Sequence, residues 1–197
     1  MKTINAVITG VGGYVPDYIL DIEEMSTIGE TSDEWIMERI GVKTRHILKP
    51  EQGAGTSYMM IRAVQQLLRK TGAEPNIVEL VICATTTPDY HFPSTASILC
   101  DKLGLKNAFA FDLQAACCGF LFGLEVVASM VASGRHKKVI LVGSDKMSSM
   151  VDYTDRATCP IFGDGAAAGA DQQRLCADLL FPGCRFSGGD RGCFRCL

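Results

Sequence analysis

The chain has 197 residues, 47% of them hydrophobic, 21% charged and 8% aromatic, which excludes a disordered polymer and is enough to build a core without staples. A formal charge of −3 offers no general attraction to nucleic acid or to an acidic membrane surface. The apolar run near Met1 is too short for a signal peptide, and the most apolar stretch, Ala115 to Gly134, carries Glu125 at its middle, a charge expensive in lipid, so the expectation is a cytoplasmic protein with no membrane span.

Read in chain order, Asn5 to Thr9 is a short β run followed by Gly10, Gly12 and Gly13. This Gly-x-Gly-Gly lacks the third glycine and following helix of a dinucleotide fingerprint and reads as a tight turn. Thr31-Ser-Asp-Glu34 has capping-box spacing, with Thr31 accepting from the third helical amide. The helix it opens, Ser32 to Ile40, stops at Gly41, a suitable residue just past a helix end. Val42 to Leu48 resembles a strand. Met59, Met60, Ala63, Val64, Leu67 and Leu68 then fall at helical spacing before Gly72, which marks the methionines as core. Leu80 to Ala84 is a continuous apolar run, as expected of a strand buried on both faces. A helix from Ser94 to Leu103, a strand from Ala108 to Leu113, a long apolar helix from Ala116 to Ser133 and a strand from Lys138 to Val142 complete the pattern. Phe162 to Ala168 looks like the start of one more strand. Alternation of this kind predicts an α/β layered fold with a mostly parallel sheet.

The composition changes after Ala168. From Gly169 onward there is no Lys, Ile, Val or Tyr, while Cys176, Cys184, Cys193 and Cys196 crowd the end. The chain therefore divides into a body, residues 1–168, and a Cys/Gly/Arg-rich tail, 169–197, in which no strand or helix period is expected to persist beyond Leu175 to Phe181. Cys193-Phe-Arg-Cys196 lacks the second ligand pair of a structural zinc site and the strand–helix setting of a redox pair. The reading favoured here is an aberrant, frameshifted end without native structure and without metal. The remaining cysteines, Cys83, Cys100, Cys117, Cys118 and Cys159, read as free thiols.

Cys117 stands out among them. It follows the strand Ala108 to Leu113 and opens the apolar helix, where unpaired amides and the positive dipole end favour a thiolate. A sharp turn from strand into helix would aim its sulfur outward, as a nucleophile elbow aims a serine. On spacing alone the alternative stands, that Cys117 and Cys118 are two small apolar residues of a core helix.

The segment Phe111-Asp-Leu-Gln-Ala-Ala-Cys117-Cys-Gly-Phe120 resembles the active-site segment of the β-ketoacyl-acyl carrier protein synthase III family, in the thiolase superfamily. Thr31-Ser-Asp-Glu-Trp35-Ile-Met-Glu-Arg39-Ile-Gly41 is similar to that family's coenzyme A-binding helix, and His91-Phe92-Pro-Ser94 to its dimer-interface loop. Asp155-Arg156 resembles a second nucleotide contact, and Ile161-Phe-Gly-Asp-Gly-Ala166 the glycine-rich start of a strand. The five segments occur in the family's order across about residues 4 to 168.

The resemblance implies a thiolase-like fold with a mixed, mostly parallel sheet, represented by its N-terminal half. It implies an acyltransferase that takes an acyl group, typically acetyl, from acyl-coenzyme A onto Cys117. Decarboxylating condensation with malonyl-acyl carrier protein then follows, with no cofactor beyond the coenzyme A substrate. By the same resemblance Trp35 stacks adenine against Arg156, Arg39 meets a phosphate, Thr31 bonds the adenine edge, and Phe92 crosses a homodimer interface to close the partner's acyl pocket. Trp35 reads equally well as a core anchor of an amphipathic helix, and Thr31 as a helix cap. The family's catalytic histidine and asparagine lie in its second half, and His46, His91 and His136 match neither. The alternative is accordingly a non-catalytic fragment or dimer-interface module.

Overall fold

The computed structural model describes residues 4–28, 32–52, 55–155 and 157–175. In chain order the elements are β1 (Ile4–Tyr14), β2 (Ile19–Asp21), α1 (Ile22–Ile28), α2 (Asp33–Arg39), β3 (Thr44–His46), α3 (Thr56–Thr71), β4 (Leu80–Ala84), α4 (Thr95–Leu103), β5 (Phe109–Leu113), α5 (Gly119–Ala132), β6 (Lys138–Lys146) and β7 (Asp164–Leu175). Five strands form the main sheet in the order β1-β7-β6-β4-β5, and β2 pairs with β3 in a separate hairpin. Strand β4 pairs in parallel with both β5 and β6, whereas β7 runs antiparallel to β6 and to β1. Four of the five strands thus point one way and β7 alone runs against them, giving the mixed, mostly parallel sheet that the alternation predicted.

Helices cover both faces of this sheet. On one face Met60, Ala63, Val64 and Leu67 of α3 and Ala96 and Leu99 of α4 pack on Val81, Cys83, Ile140 and Val142. On the other, Val127 and Val131 of α5 pack on Leu80, Ile82, Val139 and Leu141. Alternate residues of β4 thus feed opposite cores, so the whole strand is buried and its sequence is apolar throughout. A satellite core of Leu20, Met25, Ile36, Ile47 and Cys159 joins α1 and α2 to the β2–β3 hairpin.

Several boundaries differ from the sequence reading. Strand β1 does not end at Thr9; it runs through the glycines to Tyr14, with a bulge between Ile8 and Gly10. The glycines are there for close approach, because a Cβ on Gly12 would stand 2.6 Å from the Leu67 amide of α3 and nearer still to the Ala63 carbonyl. The cap of α2 is Ser32, whose hydroxyl accepts from the Trp35 amide at 3.3 Å; Thr31 lies outside the described residues. Gly41 takes the left-handed conformation at φ +73°, as expected past a helix end. The predicted 42–48 strand shortens to β3, and β2 and α1, which the pattern did not reveal, pack beside it.

The division at residue 168 falls inside β7. This strand continues to Leu175 because β1 and β6 supply ladder partners on both sides, Gln172 pairing with Val7 and with Lys138. Neighbouring backbones, not a side-chain period, carry it past Gly169. Residues 176–197, with all four tail cysteines, lie outside the described residues. Among the described residues no helix is long and apolar enough to cross a membrane, and no group of three His, Cys, Asp or Glu side chains could hold a metal ion.

Candidate active site

The carboxyl ends of β4, β5 and β6 form one edge of the sheet, the edge where open α/β sheets present ligand sites. Cys117 stands there. After Leu113 the chain leaves β5 and makes a short 3-10 turn, Ala116–Cys118, before α5 begins at Gly119. The sequence placed Cys117 in the first turn of a helix starting at Ala116. Instead, Cys118 is the residue that caps α5, and Cys117 sits in the turn ahead of it. Ala116 interrupts the helix: its φ of +47° is left-handed, strained for a residue with a Cβ and common where a functional side chain must be aimed. Both Cys117 and Cys118 are exposed among the described residues.

Three close contacts seat α5 beneath the turn. A Cβ on Gly119 would lie 3.3 Å from that of Ala84 at the end of β4, and one on Gly143 in β6 would lie 3.2 Å from the Phe120 ring. A Cβ on Gly123 would press on the side chain of Leu141. Glycines at these points bring the helix start down onto the strand ends, leaving the preceding turn, with Cys117, at the rim.

Carboxylates organise the same edge, and the sequence reading assigned none of them a role. Asp112 of β5 accepts from the amides of Thr95 at 2.7 Å and Ala96 at 2.8 Å, satisfying free N–H groups at the start of α4. Asp89 does the same for α3 through Thr56 at 2.6 Å and Ser57 at 3.1 Å. Asp145, at the end of β6, gathers Thr85, Thr86 and Thr87. The one signal in the sequence was position, Asp112 and Asp145 lying near the ends of their strands and Asp89 in the loop after β4.

Phe92 lies in the β4–α4 loop and is 90% exposed. Because Asp112 ties the start of α4 to β5, that loop and the Cys117 turn share one end of the sheet. Trp35 and Arg39 are brought together elsewhere, on α2, with the guanidinium 5.5 Å from the indole centroid. Trp35 is half-buried against the satellite core, as is Tyr153, and Cys159 belongs to that core, so α2 and the segments on either side of residue 156 pack on one cluster. Arg156 itself lies outside the described residues. Its neighbourhood is shaped by Asp155, whose carboxylate accepts from Thr158 Oγ1 at 2.6 Å and the Ala157 amide at 2.9 Å. The Thr158 hydroxyl first, then the Ala157 amide, hold the Asp155 carboxyl below its ordinary range. Buried Arg45 fastens the loop from beneath, donating from Nε to the Pro160 carbonyl at 2.7 Å and from Nη2 to that of Val42 at 3.1 Å.

A cavity of about 410 Å³ opens between the hairpin and the turn after β6, lined by Tyr18, Lys49, Lys146, Ser148 and Tyr153 among others. Cys117, Trp35, Arg39 and Phe92 do not line it. Of the histidines, His46 Nδ1 bonds the Pro16 carbonyl at 2.6 Å, His136 stacks on Phe109, and His91 is exposed beside Phe92.

Comparison with known proteins converges on one family. The family model described as 3-oxoacyl-[acyl-carrier-protein] synthase III matches residues 111–172. Beta-ketoacyl-[acyl-carrier-protein] synthase III 2 of Bacteroides thetaiotaomicron is 74% identical over 168 residues, covering 85% of this chain and 50% of the relative. A synthase III of Phocaeicola vulgatus is 73% identical over the same coverage. Among solved structures, the Aquifex aeolicus 3-oxoacyl-[acyl-carrier-protein] synthase III superposes with a TM-score of 0.81 at 41% identity, over 85% of this chain and 53% of that one. The priming β-ketosynthase of the R1128 polyketide pathway gives 0.84 at 31% identity, over 89% and 52%. The chain spans about half the length of the curated relatives it matches. With its thiolase-like sheet and the Cys117 turn inside the matched region, the chain is similar to 3-oxoacyl-[acyl-carrier-protein] synthase III proteins over about half of their length.

Proposed function

We propose that Cys117 is an acyl acceptor and that the chain carries the acyl-loading part of a β-ketoacyl-acyl carrier protein synthase III. The carrying observation is the exposed thiol in a turn bent by the left-handed Ala116, at the carboxyl edge of the parallel strands. In the loading step the Cys117 sulfur attacks the thioester carbonyl of acetyl-coenzyme A. The tetrahedral intermediate collapses with loss of coenzyme A thiolate, which takes up the proton given up by Cys117, leaving acetyl on the enzyme. In the condensation, malonyl-acyl carrier protein loses carbon dioxide and the resulting enolate attacks the acetyl-cysteine carbonyl. The new carbon–carbon bond expels the Cys117 thiolate and yields a β-ketoacyl-carrier protein. This is the reaction class that opens fatty-acid synthesis.

Trp35 and Arg39 supply an aromatic face and a cation for the nucleotide end of coenzyme A, with Thr31 and Arg156 as further contacts. Phe92, almost fully exposed, is the contact for a second copy of the chain. His46 and His136 are engaged elsewhere, so polarising the malonyl thioester falls to groups the family supplies from its other half. Loading is therefore the step that the described residues themselves would carry. Incubation of the folded chain with acetyl-coenzyme A, followed by intact-mass and peptide mapping, tests this. An acetyl adduct on Cys117 that Cys117→Ala abolishes supports the reading, and a folded chain that takes no adduct overturns it.

One observation favours a second reading, a non-catalytic interaction module. Leu121 and Phe122 on α5 are 66% and 56% exposed, and Ile8 and Val11 of β1 on the same side of the sheet are exposed too. A bare apolar face of that kind marks an interface. Dimer or oligomer formation without acetylation would select this reading.

A further inference from the structure

We propose that Asp145 is a positioning residue for Cys117, holding the strand side of its turn through the Thr85-Thr86-Thr87 segment. This rests on the reading of Cys117 as the acyl acceptor. A single carboxylate oxygen of Asp145 accepts from Thr85 Oγ1 at 3.1 Å, from the Thr86 amide at 2.7 Å and Oγ1 at 3.0 Å, and from the Thr87 amide at 3.1 Å and Oγ1 at 3.0 Å. These five donors exceed the lone pairs of one oxygen, so they share it, and the Thr87 amide also reaches Thr85 Oγ1 at 3.1 Å; hydrogen bonds to a carboxylate are among the strong ones. Thr85 and Thr87 are themselves buried, so the cluster is shielded from competing water.

The consequence runs to Cys117 by a short route. The Thr85 amide donates to the Leu113 carbonyl at 3.1 Å, the last backbone bond of β5 before the turn that carries Cys117. Fixing Thr85 therefore fixes the point from which that turn departs. The far side is held by α5, whose own packing on β6 through Gly123 and Leu141 does not involve Asp145, although Gly119 also rests on Ala84, next to Thr85. Ala116, in its left-handed conformation, lies between these supports and needs both to hold it there. Cys118, as the cap of α5, depends on the helix side. Loss of the Asp145 clamp is thus expected to disturb Cys117 more than Cys118, although the two are adjacent and both exposed.

The test is competitive alkylation of the whole folded chain with iodoacetamide, reading Cys117 against Cys118 by peptide mapping, in Asp145→Ala and Asp145→Asn. Buried Cys83 and Cys159 report folding, and acetylation from acetyl-coenzyme A is measured separately. In Asp145→Ala the Cys117 to Cys118 rate ratio is expected to change about tenfold, with Cys83 and Cys159 still protected; Asp145→Asn, which keeps an accepting oxygen, changes it about threefold. A ratio equal to that of the unmodified sequence in protected Asp145→Ala overturns the proposal. If Asp145→Ala exposes Cys83 and Cys159, the same ratio in Asp145→Asn decides: a shift supports the clamp and an unchanged ratio overturns it. Failure of the unmodified chain to take acetyl refutes the loading reading alone, since the alkylation ratio does not depend on it.

Discussion

The two faces of the central sheet are finished to different degrees. Under α3 and α4 the packing is closed: Met60, Ala63, Val64, Leu67 and Leu99 are fully buried, Gly12 lets β1 approach the α3 backbone, and Gly10 makes room for the Thr71 and Leu67 side chains. Under α5 the same strands are equally apolar, yet Ile8, Val11, Leu121 and Phe122 remain exposed and Asp171 is buried without a partner for Oδ2. Among the described residues one face is a closed core and the other leaves large apolar side chains exposed. The difference teaches that the same apolar strands can sit in well-ordered secondary structure on both faces while their burial differs from one face to the other.

This contrast is open to direct attack. The largest effect is expected at Gly12: Gly12→Val would drive side-chain atoms into the α3 backbone at Ala63 and Leu67, and the chain should lose its cooperative unfolding transition by circular dichroism. Next, Leu67→Ala on the closed face should cost ~2–5 kcal/mol in urea titration, because little around it can collapse into the space. The matching Leu121→Ala on the open face should cost under ~0.5 kcal/mol, since that side chain is already in water. Equal losses at the two sites would erase the distinction.

Asp171 gives a smaller effect of opposite sign. It pairs with Ile8 and Val139 on the α5 side, and burial pushes its carboxyl above the ordinary carboxylate range. The folded chain therefore holds this proton more tightly than the unfolded chain. Stability is fully present below the unfolded value and falls as pH rises through the folded one. Asp171→Val should stabilise the chain by ~1–3 kcal/mol at neutral pH, with the gain shrinking in acid; thermal melts across the acid range would show it. A gain independent of pH would assign the effect to strand propensity alone. The smallest stability change is expected from Phe122→Ser, within ~0.5 kcal/mol, but light scattering should show reduced self-association if α5 is the exposed interface.

Much of the body was legible beforehand, and for local reasons. The apolar run Leu80 to Ala84 became β4 with the same limits, because a strand buried on both faces needs no alternation. The period from Met59 to Leu68 lies within α3, which ends at the left-handed Gly72. Cys117 was singled out by its place between a strand and an apolar helix; the structure keeps it between β5 and α5 but in a 3-10 turn rather than in the first turn of the helix.

Other features depended on residues distant in sequence. Gly10 to Gly13 resembled a turn because nothing nearby reveals that α3 presses against them. The end of β7 was invisible because its ladder partners lie on β1 and β6. Asp145 carried no local signal beyond closing an apolar strand, since its donors sit about sixty residues earlier. The sequence alone determined β4, β5 and the start of β6, the long helices α3, α4 and α5 within a few residues, and a place for Cys117 between a strand and a helix, because these follow from nearest-neighbour sterics and side-chain periodicity. Only the tertiary structure decided the shift of the α5 start to Gly119, the left-handed Ala116 before Cys117, the carboxylates that brace the strand ends, and which sheet face stays open. Those are set by backbone approach and by hydrogen bonds between residues that the linear order keeps apart.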